Sequence, residues 1–166
     1  MTTGKILVSA CLMGQAVRYD GKDKLFRHDL LERWKEEGRL VILCPEMSAG
    51  MPVPRLPAEI EAGKTADDVL AGQAKIMDIK GHDMTGPFTV AADNALALAR
   101  EQGCAHALLI DGSPSCGSSF VYDGTFSGKR ISGAGLVAAH LRNNGIKVWQ
   151  PARISDLADA LGEPGL

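Results

Sequence analysis

The run KILVSACLMG, Lys5–Gly14, reads as a buried β-strand that stops where the chain turns, and the turn carries Cys11. The same order recurs twice. In RLVILCPE (Arg39–Glu46) an apolar run ends at Cys44, and in HALLIDGSPSCG (His106–Gly117) another ends shortly before Cys116. Helical patterns fill the intervals, and strand, helix, strand with short links is the pattern of a parallel sheet wrapped by helices. In such a sheet, ligands collect outside the carboxyl ends of the strands. Three cysteines delivered there by three strands would converge. Three thiolates without a fourth describe a metal or iron–sulfur site with one open coordination position, an arrangement suited to chemistry more than to scaffolding.

Working outward, four runs read as strands: Lys5–Ser9, Leu40–Leu43, Ala107–Ile110 and Ile146–Trp149. Leu25–Glu37 reads as a helix with Leu25, Leu30, Leu31 and Trp34 on one face and Gly38 as its stop. Thr89–Gln102 is rich in alanine and leucine and ends at Gly103. Gly135–Asn144 is a third helix, and Ser155–Leu161 a fourth with Ser155 as its N-cap. Pro45–Thr85 breaks the pattern. Pro52, Pro54 and Pro57 forbid regular helix there, and AKIMDIKGHDMTG (Ala74–Gly86) alternates as a small hairpin does. An insertion of that length is more often functional than idle. The expected fold is α/β: a single-domain, Rossmann-like, mostly parallel sheet flanked by helices, with a Pro-rich loop and a small hairpin insertion.

The bulk properties set limits on partners. The chain has 166 residues, 45% of them hydrophobic and 23% charged, as one globular domain would. A net charge of −2 advertises no nucleic-acid surface, and there is no polybasic run to seek a membrane. The apolar runs fall far short of the roughly 20 residues of a bilayer span, and the N-terminal segment lacks the features of a signal peptide. A cytoplasmic protein with reduced cysteines is expected, with no membrane or nucleic-acid partner and with room for a homodimer.

Cys104 follows Gly103 at a helix-to-strand link, the end of the sheet opposite the other three, and reads as structural. Zinc is disfavoured because no Cys-x-x-Cys pair is present and His28, His82, His106 and His140 lie in or beside predicted helices and strands. An iron–sulfur cluster tolerates scattered ligands because the cluster itself spaces them, and it leaves an iron free for a soft ligand. Glu46, two residues past Cys44, is placed to act as a general acid or base. Ser113, three before Cys116, either holds a substrate or water or simply closes its own turn. Arg18 or Asp20 in VRYDG either contacts substrate or forms an ion pair. SGAG (Ser132–Gly135) opens a helix whose N–H groups either receive an anion or pack tightly. The usual dinucleotide and nucleoside-triphosphate signatures are absent.

Taken in order, SACLMGQAVRYDG, LCPEMSAGMPVPRLPAEI, DGSPSCGSSFVYDGTFSG and GAGLVAAHL resemble a family of small bacterial proteins that includes the thiouracil desulfidases. The resemblance covers about residues 5–150 and implies one desulfidase-like domain over 1–166. It implies a [4Fe-4S] cluster held by Cys11, Cys44 and Cys116, with Glu46 the catalytic carboxylate and Ser113 a catalytic or substrate-positioning serine. The implied reaction is non-redox removal of sulfur from 2-thiouracil or a related thiolated pyrimidine, giving uracil and sulfide. Other uses of such a site are sulfur transfer into a substrate, dehydration of a small molecule, and metal or redox sensing without catalysis.

Overall fold

In chain order the elements of the computed structural model are β1 (Lys5–Ser9), α1 (Asp29–Glu36), β2 (Leu40–Leu43), α2 (Pro45–Ser48), β3 (Ala58–Ile60), α3 (Ala66–Leu70), β4 (Ile76–Asp78), α4 (Thr85–Gln102), β5 (Cys104–Leu108), β6 (Phe120–Tyr122), β7 (Arg130–Ser132), α5 (Leu136–Asn143), β8 (Lys147–Trp149) and α6 (Ile154–Ala160). It describes residues 4–163, so the first and last three residues of the expected 1–166 domain lie outside the described residues. The central sheet has the order β2-β1-β5-β8 and is parallel throughout. Two antiparallel pairs, β3-β4 and β6-β7, stand apart from it.

The strand order decides where a ligand can sit. The chain steps from β1 to β2 on one side, then returns across β1 to β5 and β8 on the other. Loops leaving β1 and β5 therefore diverge, and a crevice opens at the carboxyl ends of these neighbours. Strands buried on both faces need apolar residues at every position. Ile6, Val8 and Leu108 pack with Leu30, Leu31 and Trp34 of α1 and with Ile154 and Leu157 of α6. Leu7 and Ala107 face the other way, onto α4 and α5. Ala91, Ala92, Ala95 and Ala99 are fully buried on α4, and their small side chains let that helix sit close to the sheet. No helix among the described residues is long and apolar enough to cross a membrane.

Several boundaries differ from the sequence expectation for local reasons. Helix α4 begins at Thr85, not Thr89, because Pro87 falls in its first turn, where no N–H is needed. Strand β5 starts at Cys104 directly after the Gly103 cap, and its ladder stops at Leu108. The Ile110 N–H goes instead to the Ser9 hydroxyl at 3.0 Å. Helix α6 begins at Ile154 with no side-chain cap, so Ser155 lies inside it. The expected hairpin within Ala74–Gly86 is present as a short fold-back, with Asp78 N–H donating to the His82 carbonyl at 3.0 Å and Met84 N–H to the Ile76 carbonyl at 2.7 Å. Strand β4 gains a second partner that the sequence did not indicate. Ile76–Asp78 pairs with Ala58–Ile60 on one side, and the Met77–Asp83 bridge joins it to the returning chain on the other.

One charged cluster ties the end of the described chain to the sheet edge. Arg39, 4% exposed, pairs with Glu163, which also accepts from the Trp34 indole at 2.6 Å. Burial pushes the Glu163 carboxyl up, but hydrogen bonds from Arg39 and Trp34, with the Arg39 charge, together hold it below the usual range. A carboxyl depressed in the folded state stabilises above its unfolded pKa of about 4.3, and that contribution fades as pH falls through the lower folded value. Glu163→Gln is expected to cost about 2 kcal/mol, less than a fully buried pair because Glu163 keeps some exposure. Thermal unfolding should show the deficit at pH 7 and its disappearance in acid.

Candidate functional site

Each loop at the carboxyl edge is built to hold its cysteine still. After β1, a single 3-10 turn (Ala10–Met13) carries Cys11 and ends at Gly14, whose φ of 89° suits glycine. Cys44 is the N-cap of α2, and Pro45 takes the first helical position, where its missing N–H costs nothing. The α2 turn places Glu46 beside its own cap. The Cys44 thiol donates toward Glu46 Oε2 at 3.7 Å and lies 3.9 Å from the Val17 carbonyl.

The third loop is organised by Asp111, a residue that sequence reasoning did not single out. Its Oδ1 accepts from the backbone N–H groups of Ser118, Ser119 and Phe120 at 3.0–3.1 Å, and the Ser119 hydroxyl donates to Oδ2. Burial raises the Asp111 carboxyl, yet these hydrogen bonds outweigh it and the net shift is downward. An Asp at a strand end before Gly-Ser-Pro is a turn signal that could have marked it. Asp111→Ala strands three backbone donors, and unsatisfied groups cost about 1–3 kcal/mol each when buried. It is expected to lower Tm and loosen Cys116, while Asp111→Asn, which keeps an acceptor, should retain most of both. Denaturation curves of the two variants check this.

The Cys116 loop rests on the start of α5. N–H groups of Gly135, Leu136 and Val137 donate to the carbonyls of Gly117, Pro114 and Ser115 at 2.7–2.9 Å. The start of α5 thus spends these three donors on the Cys116 loop and offers none of them to an anion. A Cβ at Gly135 would lie 2.4 Å from the Ser115 carbonyl oxygen, so the contact demands glycine. Ser113 closes its own turn, as one of its two expected readings has it. Its oxygen accepts from Ser115 and Cys116 N–H at 3.0 and 3.2 Å, which leaves its proton directed at Glu46 Oε1, 3.5 Å away.

Cys11, Cys44, Cys116, Glu46 and Ser113 line one cavity of about 660 Å³. Arg18 and Arg55 line it too. Asp20 is not among its lining residues and instead accepts the Lys22 N–H, closing its own turn. Cys104 opens β5 opposite Lys5, the first residue of β1, and takes no part in the lining. The four histidines are engaged elsewhere: His28 caps α1, and His82, His106 and His140 pair with Asp78, Trp149 and Asp93.

The electrostatics of the cavity separate two uses of a thiol. Burial pushes Cys11 up to about 11, and Glu46 and Cys44 push the same way. Cys44 is raised by burial and then by Glu46; Cys116 is raised furthest, again by burial first and Glu46 next, against a hydrogen bond from Ser9. A nucleophilic cysteine needs the opposite, a surrounding that favours thiolate. Thiols kept neutral by burial and a shared carboxylate do fit a cationic metal centre, whose charge inverts that balance. Among the described residues no three Cys, His, Asp or Glu side chains are close enough to hold a single metal ion. Thiolates around one zinc stand about 4 Å apart, whereas a cluster separates its ligands by its own width. The donor set fits an iron–sulfur cluster better than a lone ion.

Comparisons with known proteins agree with that chemistry. A family model described as 2-thiouracil desulfurase matches residues 6–152. The uncharacterized protein YbbK of Bacillus subtilis (strain 168) is 41% identical over 152 residues, spanning 92% of this chain and 99% of its own length. A solved structure described as the [4Fe-4S]-dependent thiouracil desulfidase TudS is 41% identical to this chain. The match covers 96% of this chain and 98% of that one, with a TM-score of 0.87.

Proposed function

The chain belongs to the 2-thiouracil desulfurase family, and from that premise we propose that it hydrolyses the carbon–sulfur bond of 2-thiouracil or a related thiolated pyrimidine. The observation that carries the reading is the meeting of Cys11, Cys44, Cys116, Glu46 and Ser113 in one cavity at the switch point of the sheet. The three cysteines would hold a [4Fe-4S] cluster, the cofactor on which the solved relative is described as dependent, and three ligands would leave one iron without a protein ligand. When bound, such a cluster supplies a soft Lewis acid for the substrate's sulfur.

The chain's own residues supply orientation and protons. Water adds at the carbon bearing sulfur, the carbon–sulfur bond breaks, and both water protons end on the products, uracil and hydrogen sulfide. No electron is exchanged. Glu46, 7% exposed and one 3.5 Å step from the Ser113 hydroxyl, takes the proton from that water and returns one to a ring nitrogen or to the departing sulfur. Ser113, with its oxygen fixed by two backbone donors, aligns the carboxylate and the water.

The test is turnover by protein purified and reconstituted without air. It should convert 2-thiouracil to uracil and sulfide in equal amounts with no electron donor. Absence of sulfide from every thiolated pyrimidine tried would overturn the reading.

A further inference from the structure

One buried cation in the cavity has no part in holding a cluster. Arg55 ends the PVPR stretch, and its side chain is only 11% exposed. One of its terminal nitrogens donates to the Val17 and Pro52 carbonyls, both at 3.3 Å. The other stands 3.8 Å from Glu46 Oε1, an ion pair beyond hydrogen-bonding distance. A guanidinium presents five N–H donors in a fixed fork. Burying that charge is costly unless its donors are filled, and here the fork is short of partners on the side where Arg55 and Glu46 both border the cavity.

We propose that Arg55 is a catalytic residue, its guanidinium taking up the negative charge that gathers on the substrate ring as water adds beside the sulfur. This rests on the desulfuration reading. In the thiol tautomer water adds across the ring C=N bond, so the electron pair moves to that nitrogen and on to the adjacent carbonyl oxygen. A fixed fork of donors beside them stabilises the charge without reorganising. The Val17 carbonyl holds Arg55 and approaches the Cys44 thiol at the same time, so the fork is registered to the cysteine site. Its backbone is tied as well: Arg55 N–H donates to the Tyr19 carbonyl at 2.6 Å.

Arg55→Gln keeps N–H donors for the Val17 carbonyl and removes the charge. In cluster-loaded protein it is expected to retain iron and lose about 10²–10³-fold in kcat, with KM little changed. Guanidinium added to Arg55→Ala should restore part of that loss. A second readout needs no turnover: calorimetric titration with uracil and with barbiturate, a planar ring of similar size carrying a negative charge. Wild-type protein should prefer barbiturate at least tenfold, and Arg55→Gln should lose the preference. Wild-type protein with no such preference, or Arg55→Gln that keeps both it and full kcat, overturns the proposal. So does loss of iron in Arg55→Gln and Arg55→Lys alike with no guanidinium rescue, which makes Arg55 a loop anchor. Wild-type protein that prefers barbiturate through Arg55 yet releases no sulfide overturns the desulfuration reading and leaves the anion site standing.

Discussion

Glu46→Gln is expected to keep its iron and sulfide and to lose turnover by about 10²–10⁴-fold, the usual worth of a positioned proton carrier. The substitution preserves shape and the hydrogen-bond acceptor facing Ser113, so the fold has no reason to change. What disappears is the one acidic group that borders both the Cys44 thiol and the Ser113 hydroxyl. Ser113→Ala should cost less, because the serine aligns a proton carrier without being one. It also removes the acceptor for two backbone N–H groups, so its loss should be read with the iron content measured alongside. Full activity in Glu46→Gln would end the carboxylate mechanism.

Cys11→Ala, Cys44→Ala and Cys116→Ala are each expected to abolish cluster retention, leaving a colourless protein without turnover. Three thiolates would leave no spare ligand, and among the described residues no histidine lines the cavity to replace one. Cys104→Ala is the matched control. Cys104 is as buried as Cys11, at 5% against 6%, but it sits in the core at the start of β5. Its removal should lower stability slightly and leave iron unchanged. Iron and acid-labile sulfide analysis of the four variants separates the outcomes, and iron lost from Cys104→Ala alone would refute the assignment.

Much of the fold was legible in the sequence because the parallel sheet writes itself as apolar runs ending in turns. The bounds of β1 and β2 match the sequence expectation residue for residue, and the position of a cysteine relative to a strand end is enough to place it on one edge. The pairing of β3 with β4 was not legible. It joins segments separated by the Ala66–Leu70 helix, and no local period records such a partner. The β6-β7 pair was missed too, since its strands are three residues each, too short for an alternation to show. At the site, residue type marked Cys11, Cys44, Cys116, Glu46 and Ser113. Asp111, Ser9 and Arg55 escaped because they act through backbone groups or distant neighbours, which only the folded chain brings within reach. The sequence left the SGAG turn between an anion and tight packing for the same reason: the carbonyls that occupy the donors there belong to another loop.

The central claim is hydrolysis without redox change, and one isotope experiment addresses it directly. Cluster-loaded protein is mixed with 2-thiouracil in heavy-oxygen water, air-free and with no electron donor, and the products are weighed by mass spectrometry. Uracil should carry one heavy oxygen at the former sulfur position, with one sulfide released per uracil. Sulfide that appears only when a reductant is supplied, or uracil that carries no label from the water, would contradict the account.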